Sequence, residues 1–138
     1  MTEAVPLFVY GSLMFGLKHH QQLVGARPLG EAELMDHHLV LYEGAYPALV
    51  PGVPAGADPG VAQRYAVVGE VFMVEHEHLL RLDQFEDCPD LYQRVEVTLC
   101  CGLRAQAYAI TRKRAQAYPV IGGSFREFLR DIPAHSFT

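Results

Sequence analysis

The stretch Leu82-Asp83-Gln84-Phe85-Glu86-Asp87-Cys88-Pro89-Asp90-Leu91-Tyr92-Gln93-Arg94 places an acidic residue where the helical pattern requires an apolar one. The spacing of the residues around its start predicts a helix from Glu75 to about Asp87. The apolar side of this helix carries Leu79, Leu80, Leu82 and Phe85. At roughly 100° per residue, Glu86 projects into that side, between Leu79 and Leu82. Pro89 ends the helix, so Glu86 lies in its last turn beside a loop.

Glu86 is therefore the candidate catalytic acid or base. Three effects raise the pKa of a carboxyl group at this position: apolar neighbours that remove it from water, the charges of Asp83 and Asp87, and the negative end of the helix dipole. A carboxyl group with a raised pKa exchanges protons near neutral pH. The alternative, from periodicity alone, is a last-turn glutamate whose side chain curls out into water.

The composition predicts one globular domain spanning residues 1–138. Hydrophobic residues make up 50% of the chain, charged residues 20%, and the formal net charge is −5. Because Lys and Arg are neither in excess nor clustered, we expect neither nucleic acid nor an anionic membrane as a partner. The first apolar segment, Val5 to Tyr10, is too short to span a bilayer or to act as a signal peptide, so we expect a cytoplasmic protein.

The cysteines and histidines are not spaced as metal ligands. Cys88, Cys100 and Cys101 form no CxxC motif, and two adjacent cysteines on a strand point to opposite faces, so we interpret all three as reduced thiols that are buried or half-buried. The pairs His19-His20 and His37-His38 direct their rings apart, and no HExxH motif is present. The sequence thus predicts no metal site.

The first half of the chain reads mainly as strands. Val5 to Tyr10 is a buried strand that ends in a tight turn, and residues 13–24 form a short helix or two turns interrupted at Gly16. Residues 30–43 carry strand-like apolar positions. Tyr65 to Val74 is the clearest strand, and Gly69 inside it indicates a bulge or a close approach of another backbone.

The remaining segments complete an α+β pattern. Residues 46–60 are rich in Pro and Gly and predict a surface loop, extended at most over residues 48–50. Residues 94–100 and 105–110 alternate between polar and apolar, which predicts an antiparallel hairpin turning at Gly102. Ser124 and Glu127 form a capping-box pattern that opens a last helix, with Phe125, Phe128, Leu129 and Ile132 on its buried side. Strands that pair mostly with near neighbours predict an α+β domain around a largely antiparallel sheet, able to close into a barrel.

The turn Tyr10-Gly11-Ser12-Leu13 is the second candidate for the site. Gly11 lets the backbone bend sharply, and the N–H groups of the turn together with the Ser12 hydroxyl can hold a carboxylate or a polarised carbonyl. The alternative is an ordinary turn at the end of a strand. Ser12 is a weak candidate for a nucleophile because the GxSxG context is absent and the sequence places no histidine to activate it.

Tyr92 and Arg94 follow the acidic stretch and open the next strand, where they point to one face. The Tyr92 hydroxyl either orients Glu86 or contacts a substrate. For Arg94 we expect a surface ion pair with Asp87 or Asp90.

Three motifs, in this order and at this spacing, resemble the γ-glutamyl cyclotransferase superfamily. They are Phe8 to Leu13, Val68 to Phe72 and the long stretch Leu82 to Arg94, and the last is the specific one. The resemblance is closest to the γ-glutamylamine cyclotransferase branch and its small bacterial relatives, and it extends over the residues before about 110. From Thr111 onward, and in residues 46–60, the chain departs from that branch.

This resemblance implies a small, mostly antiparallel β-barrel with flanking helices. It implies that Tyr10, Gly11, Ser12 and Leu13 bind the substrate and that Glu86 is the acid and base. Ser12 stands where the family usually has Thr, which keeps the hydroxyl group. The expected substrate is a small γ-glutamyl amine or γ-glutamyl amino acid, converted to 5-oxoproline and a free amine without metal or organic cofactor.

Two other functions are compatible with the same motifs. One is the removal of a γ-glutamyl protecting group in a biosynthetic pathway, which uses the same chemistry. The other is a binding or regulatory module that holds a small ligand in the same cleft without turnover.

Overall fold

The computed structural model describes residues 4–42, 46–54, 65–88 and 90–131. The strands are β1 (Ala4–Val9), β2 (Arg27–Met35), β3 (His37–Tyr42), β4 (Tyr46–Pro51), β5 (Ala66–Glu75), β6 (Gln93–Thr98), β7 (Arg104–Ala109) and β8 (Val120–Gly122). The helices are α1 (His76–Phe85), α2 (Arg112–Ala115) and α3 (Phe125–Asp131), and a 3₁₀ turn covers His20–Leu23. Among these helices, none has the length and apolar character needed to cross a membrane.

The strands form one curled sheet in the order β2-β5-β1-β7-β4-β3-β8. Strand β6 lies outside this order and pairs with β7. The pairs β1–β7 and β4–β7 are parallel, and the other strand pairs are antiparallel. The sheet curls back on itself, so that β5 meets the end of β8. The N–H of Val68 in β5 donates to the carbonyl of Gly123, directly after β8, at 2.8 Å. The prediction of an α+β fold around a mostly antiparallel sheet is confirmed, and its form is a curled half-barrel with three flanking helices.

Helix α1 covers the sheet with a narrower apolar stripe than the sequence predicts. Leu79 and Leu82 are each 1% exposed, whereas Leu80 and Phe85 are 47% and 40% exposed. The helix ends at Phe85 rather than at Asp87. The prediction was therefore wrong for Leu80 and Phe85, because only the residues that face the sheet directly are taken out of water.

Residues 46–51 form a strand where a surface loop was predicted. Strand β4 pairs antiparallel with β3 along its length, and its four central residues are buried. Prolines at positions 47 and 51 are poor strand formers, because each lacks an N–H for the ladder. Contacts with β3 and β7 override that preference. Residues 55–60 of the predicted loop lie outside the described residues.

Residues 30–43 are divided between two strands. Asp36, with a φ of 61°, separates β2 from β3, and the two strands pair with different neighbours, β2 with β5 and β3 with β4. The predicted hairpin of residues 94–110 is confirmed as β6 and β7, with Gly102 at a φ of 90° in the turn. Cys100 and Cys101 lie in this turn and are exposed, so the prediction that they are buried or half-buried was wrong.

The last helix begins as its capping pattern predicts. The N–H of Glu127 donates to the Ser124 hydroxyl at 3.2 Å, and Phe125 is buried. Phe128 and Leu129 pack against the core from half-buried positions. Ile132, which was predicted on the same side, lies outside the described residues.

Gly69 allows β5 to pack closely on the end of β1. A Cβ atom at this position would overlap the carbonyl oxygen of Val9 and lie 2.8 Å from the ring of Phe8. The close backbone approach predicted for this glycine is confirmed. Phe8 is completely buried, so its ring has no free direction in which to move.

We predict that Gly69→Ala lowers the free energy of unfolding by roughly 1–3 kcal/mol, because an added methyl group overpacks the core. Chemical denaturation of the two proteins measures the difference. The control is Val68→Ala on the same strand, where the side chain is 40% exposed and a change of less than about 1 kcal/mol is expected. Equal stability of Gly69→Ala and the wild type would show that β1 and β5 do not approach each other this closely.

Candidate active site

A cavity of about 250 Å³ lies between the turn that follows β1 and the end of α1. All six residues predicted for the site line it: Tyr10, Gly11, Ser12, Leu13, Glu86 and Tyr92. The other lining residues are Phe8, Val9, His19, Tyr46, Pro47, Phe85, Asp87, Leu91 and Tyr108. The chain thus brings together two motifs that lie far apart in the sequence.

Glu86 caps the C-terminus of α1, and its side chain enters the cavity. Its N–H donates to the carbonyl of Leu82 at 2.9 Å, which continues the helical hydrogen bonding for one residue. Burial raises the pKa of the Glu86 carboxyl group from 4.5 to about 7. The carboxyl group is therefore able to gain and lose a proton near neutral pH.

The charge of Asp83 was expected to help raise the pKa of Glu86, but the Asp83 carboxylate is paired with other residues. Its carboxylate accepts two hydrogen bonds from the guanidinium of Arg94, at 2.8 and 3.1 Å, and one from the hydroxyl of Tyr108 at 2.7 Å. Arg94 was expected to pair with Asp87 or Asp90, and that expectation was wrong. A bidentate pair with Asp83 instead ties α1 to strands β6 and β7, and so fixes the helix end that carries Glu86.

The turn after β1 is shaped by Gly11. A Cβ atom there would lie 2.6 Å from Cγ of Pro47, so only glycine lets the turn pack directly on β4. The carbonyl of Gly11 accepts the N–H of Met14 at 3.0 Å, which closes the turn. The N–H groups of Ser12 and Leu13 have no hydrogen-bond acceptor among the described residues. Both groups therefore remain as donors for a ligand.

Tyr10 and Tyr92 use their hydroxyl groups to fix strand β4. The Tyr10 hydroxyl donates to the carbonyl of Tyr108 at 2.5 Å and accepts the N–H of Leu49 at 3.1 Å. The Tyr92 hydroxyl donates to the carbonyl of Pro47 at 3.0 Å. Burial raises the pKa of both tyrosines, so both hydroxyl groups stay protonated as donors. Because their hydroxyl groups are engaged, these residues offer a ligand mainly ring surface.

His19 joins the cavity as a residue that sequence reasoning missed. Its Nδ1 lies 2.8 Å from the Ser12 hydroxyl oxygen, and its backbone N–H donates to the Ser12 carbonyl at 2.9 Å. The residues between them double back through Gly16, which has a φ of 78°. Gly16 was the only signal in the sequence, and it indicated an interruption without indicating which residues would meet.

A second group missed from sequence holds the same segment from outside the cavity. The carboxylate of Glu70 accepts the N–H of Phe15 at 2.7 Å and a hydrogen bond from Arg126 at 2.9 Å. Arg126 also donates to the carbonyl of Phe15 at 2.6 Å. Both backbone polar groups of Phe15 are thereby fixed, one by strand β5 and the other by helix α3.

The cysteine nearest the cavity is not activated. Burial and the nearby carboxyl groups of Asp83 and Glu86 raise the pKa of the Cys88 thiol to about 11, so it is protonated at neutral pH. Within the described ranges, no three His, Cys, Asp or Glu side chains are grouped so that they could hold a metal ion.

Comparison with known proteins gives one family. Residues 7–127 match the family described as gamma-glutamyl cyclotransferase, AIG2-like. The chain is 37% identical to the gamma-glutamylaminecyclotransferase of Bos taurus over 97 residues. The aligned region covers 67% of this chain and 54% of that protein. The chain is 33% identical to gamma-glutamylaminecyclotransferase A of Danio rerio over 103 residues, and this alignment covers 69% of this chain and 58% of that protein. The chain therefore spans somewhat more than half the length of these curated relatives.

The fold is also found in solved structures. The crystal structure of an AIG2-like protein from Mus musculus superposes with a TM-score of 0.69, covering 86% of each chain at 24% sequence identity. At this identity the likeness concerns the fold.

We predict that Glu86→Gln stabilises the protein at pH 8 and changes its stability little at pH 5. The carboxyl pKa is raised from its ordinary value of 4.5 to about 7 in the folded protein, so the folded state holds its proton more tightly and stability falls as pH rises through this window. Above about pH 7 the folded wild type carries a buried carboxylate at Glu86, and Glu86→Gln replaces it with a neutral amide. With allowance for solvent screening, we expect a gain of roughly 1–3 kcal/mol at pH 8.

Chemical denaturation at the two pH values measures this gain. The matched control is Glu77→Gln on the exposed face of the same helix, for which no difference between the two pH values is expected. A gain of the same size at both pH values for Glu86→Gln would contradict the burial of a charge as the cause.

We predict that Glu70→Ala loosens the segment after the turn. It removes the acceptor of the Phe15 N–H, so the hydrogen-exchange rate of this amide should rise and the free energy of unfolding should fall by about 1–2 kcal/mol. The control is Glu96→Ala, whose ion pair with Arg104 is 3.9 Å long and exposed and should contribute little. Unchanged exchange at Phe15 would show that Glu70 does not hold this segment.

Proposed function

The chain belongs to the gamma-glutamyl cyclotransferase, AIG2-like family, and from this premise we propose that it releases 5-oxoproline from a γ-glutamyl amine or γ-glutamyl amino acid. The reaction is an intramolecular aminolysis, in which the α-amino group of the γ-glutamyl residue attacks its own γ-amide carbonyl. Because both reacting groups belong to one molecule, the protein has mainly to fold the substrate and to move protons. Well-oriented ring closure of this kind can account for roughly 7–11 kcal/mol of the barrier.

One observation carries the proposal. Burial raises the pKa of the half-buried Glu86 carboxyl group to about 7, and this group shares a cavity with the N–H groups of Ser12 and Leu13, which have no acceptor among the described residues. Amide cleavage requires a group that carries protons near neutral pH and hydrogen-bond donors for the negative charge that develops on the carbonyl oxygen. Glu86 is the first, and the two N–H groups are the second.

Glu86 serves first as base and then as acid. Its carboxylate removes one proton from the α-ammonium group, and the freed lone pair forms a bond to the γ-carbonyl carbon while the carbonyl electrons move to oxygen. When the C=O bond re-forms, the bond to the leaving nitrogen breaks, and Glu86 returns the proton to that nitrogen. The ring nitrogen gives its surplus proton to solvent, from which the released amine takes one up. Glu86 ends ionised, as it began.

The turn after β1 holds the negative charges of the substrate. The N–H groups of Ser12 and Leu13 bind the carbonyl oxygen as it becomes an oxyanion, and they attract the α-carboxylate. Gly11 brings these groups to the cavity wall, since its lack of a side chain allows contact with Pro47.

The charges of the cavity favour a released group without a carboxylate. Among the described lining residues there is no Lys or Arg, whereas Asp87 lies beside Glu86. A second carboxylate, as on a released amino acid, would approach Asp87 without a cationic partner. A neutral or cationic amine avoids this repulsion and packs against the aromatic rings of Tyr46 and Phe85. We therefore expect γ-glutamyl amines to be better substrates than γ-glutamyl amino acids.

The test is to incubate the protein with a panel of γ-glutamyl amines and γ-glutamyl dipeptides and to measure 5-oxoproline. We expect Glu86→Gln, which is similar in size but unable to carry the proton, to lose a factor of ~10²–10⁴ in kcat. Because Glu86 must be ionised to accept a proton, kcat/KM of the wild type should fall as the pH drops below about 7.

The control variant is Glu96→Gln, an exposed change of the same kind in strand β6, which should leave the rate unchanged. Undiminished 5-oxoproline release by Glu86→Gln would remove Glu86 from the mechanism. A ligand that raises the melting temperature of the wild type while no member of the panel is converted would favour a binding module over an enzyme.

A further inference from the structure

We propose that His19 is a positioning residue that fixes the direction of the Ser12 hydroxyl, so that the hydroxyl proton points to His19 and the oxygen lone pairs face the cavity. The Ser12 hydroxyl then accepts a hydrogen bond from the α-ammonium group of the substrate and acts neither as a nucleophile nor as an oxyanion donor, a role that belongs to the backbone N–H of Ser12. The identity of the substrate group rests on the proposed function, whereas the direction of the hydroxyl does not.

Three contacts hold His19 in place, two through its ring and one through its backbone. Nδ1 lies 2.8 Å from the Ser12 hydroxyl oxygen, and the backbone N–H of His19 donates to the Ser12 carbonyl at 2.9 Å. On its other side the ring packs edge-on against Phe85, with 5.2 Å between ring centroids. Ser12, His19 and Phe85 all line the cavity. The contact therefore joins the turn after β1 to the end of the helix that carries Glu86.

The protonation state of His19 decides what Ser12 offers to a ligand. A neutral ring with its proton on Nε2 accepts at Nδ1, so the Ser12 proton is directed away from the cavity. A ring with a proton on Nδ1, whether fully protonated or in the other neutral tautomer, donates at Nδ1, so the Ser12 oxygen accepts from His19 and its own proton turns elsewhere. The first state presents an acceptor to the cavity and the second presents a donor.

The surroundings of His19 favour the neutral state. Burial, with a smaller contribution from the positive charge of Lys18, lowers the pKa of the ring. The carboxyl groups of Glu86 and Asp87 share the cavity, and their negative charge acts in the opposite direction, but burial is the largest influence on the pKa of His19, and Phe85 presents an uncharged ring. In the proposed state the neutral ring carries its proton on Nε2, the tautomer that free neutral histidine favours, so at neutral pH the Ser12 oxygen is an acceptor.

An acceptor at this point suits a substrate that arrives as an ammonium ion. Such a group has three N–H donors, and Glu86 accepts one of them as the proton to be removed. A second donor bound by Ser12 stops the nitrogen from rotating, so the lone pair left behind is aimed at the γ-carbonyl carbon. No covalent bond to Ser12 forms, and its proton stays on its oxygen.

The kinetic test uses three single variants, one double variant and a control. His19→Leu fills the space without an acceptor, Ser12→Ala removes the hydroxyl, and His19→Asn supplies an acceptor oxygen that does not titrate. We expect kcat/KM for a γ-glutamyl amine to fall roughly ten- to a hundredfold in His19→Leu and in Ser12→Ala, and no further in the double variant, since both remove one hydrogen bond to a charged group. His19→Asn should stay within about threefold of the wild type.

The control is His76→Asn, the same change at an exposed position at the start of α1, with no loss of kcat/KM expected.

The pH profile of kcat/KM distinguishes a positioning role of His19 from a packing role. In the wild type, log kcat/KM should steepen at acid pH as His19 gains a proton in addition to Glu86, and in His19→Asn the steeper limb should disappear. Activity of His19→Leu equal to the wild type, or loss in His19→Asn as large as in His19→Leu, would overturn the proposal.

A measurement without substrate decides the direction of the hydroxyl independently. Nitrogen-15 NMR of the histidine rings at neutral pH should show His19 with its proton on Nε2, and the Nδ1 resonance should shift in Ser12→Ala and not in His76→Asn. A proton on Nδ1 would overturn the proposal even in an active enzyme. If the wild type released no 5-oxoproline from any γ-glutamyl compound, the proposed function would fail, and the tautomer of His19 would still decide this inference.

Discussion

The hydroxyl group of Tyr10 connects the sheet to the cavity. A parallel ladder with Leu49 opposite Ala109 would join the N–H of Leu49 directly to the carbonyl of Tyr108. The Tyr10 hydroxyl lies between these two groups, accepting from the first and donating to the second. A buried hydroxyl with both bonds made is stable where an unpaired one would be costly. This bridge sets the position of strand β4, and β4 supplies Pro47, against which the Gly11 turn packs and to which the Tyr92 hydroxyl donates.

The cavity combines a stable frame with one unfavourable group. Asp83, Arg94 and Tyr108 satisfy one another, and together they hold the end of α1 in a single position. The carboxyl group of Glu86 is buried and has no such charge partner in the described part of the chain, and burial raises its pKa. A group of this kind costs stability, and the paired network one helical turn away holds it in its buried position. In the proposed function, the same unpaired burial makes Glu86 a proton carrier at neutral pH.

The segment after Gly11 is held from several directions. His19 fastens it to Ser12 inside the cavity, while Glu70 and Arg126 fasten Phe15 from outside. Arg126 belongs to helix α3, near the end of the family match, which covers residues 7–127. The C-terminal helix therefore takes part in shaping the site, although it contributes no residue to the described cavity lining.

The sequence by itself determined the features that depend on neighbours along the chain. The register of α1 that directs Glu86 inward, the hairpin at Gly102, the cap at Ser124 and the close packing at Gly69 all follow from residue types at fixed spacing. The family resemblance, which also rests on the sequence, joined the turn at Gly11 to Glu86.

Tertiary structure alone decided the rest, because each of these features depends on a partner distant in the sequence or on a reversal of the chain. Strand β4 is extended in spite of its prolines since β3 and β7 lie on either side of it. Arg94 pairs with Asp83 because the hairpin returns beside the helix, and His19 reaches Ser12 because the segment doubles back at Gly16. Local spacing fixes which way a side chain points from its own element, but only the packing of elements fixes what it meets.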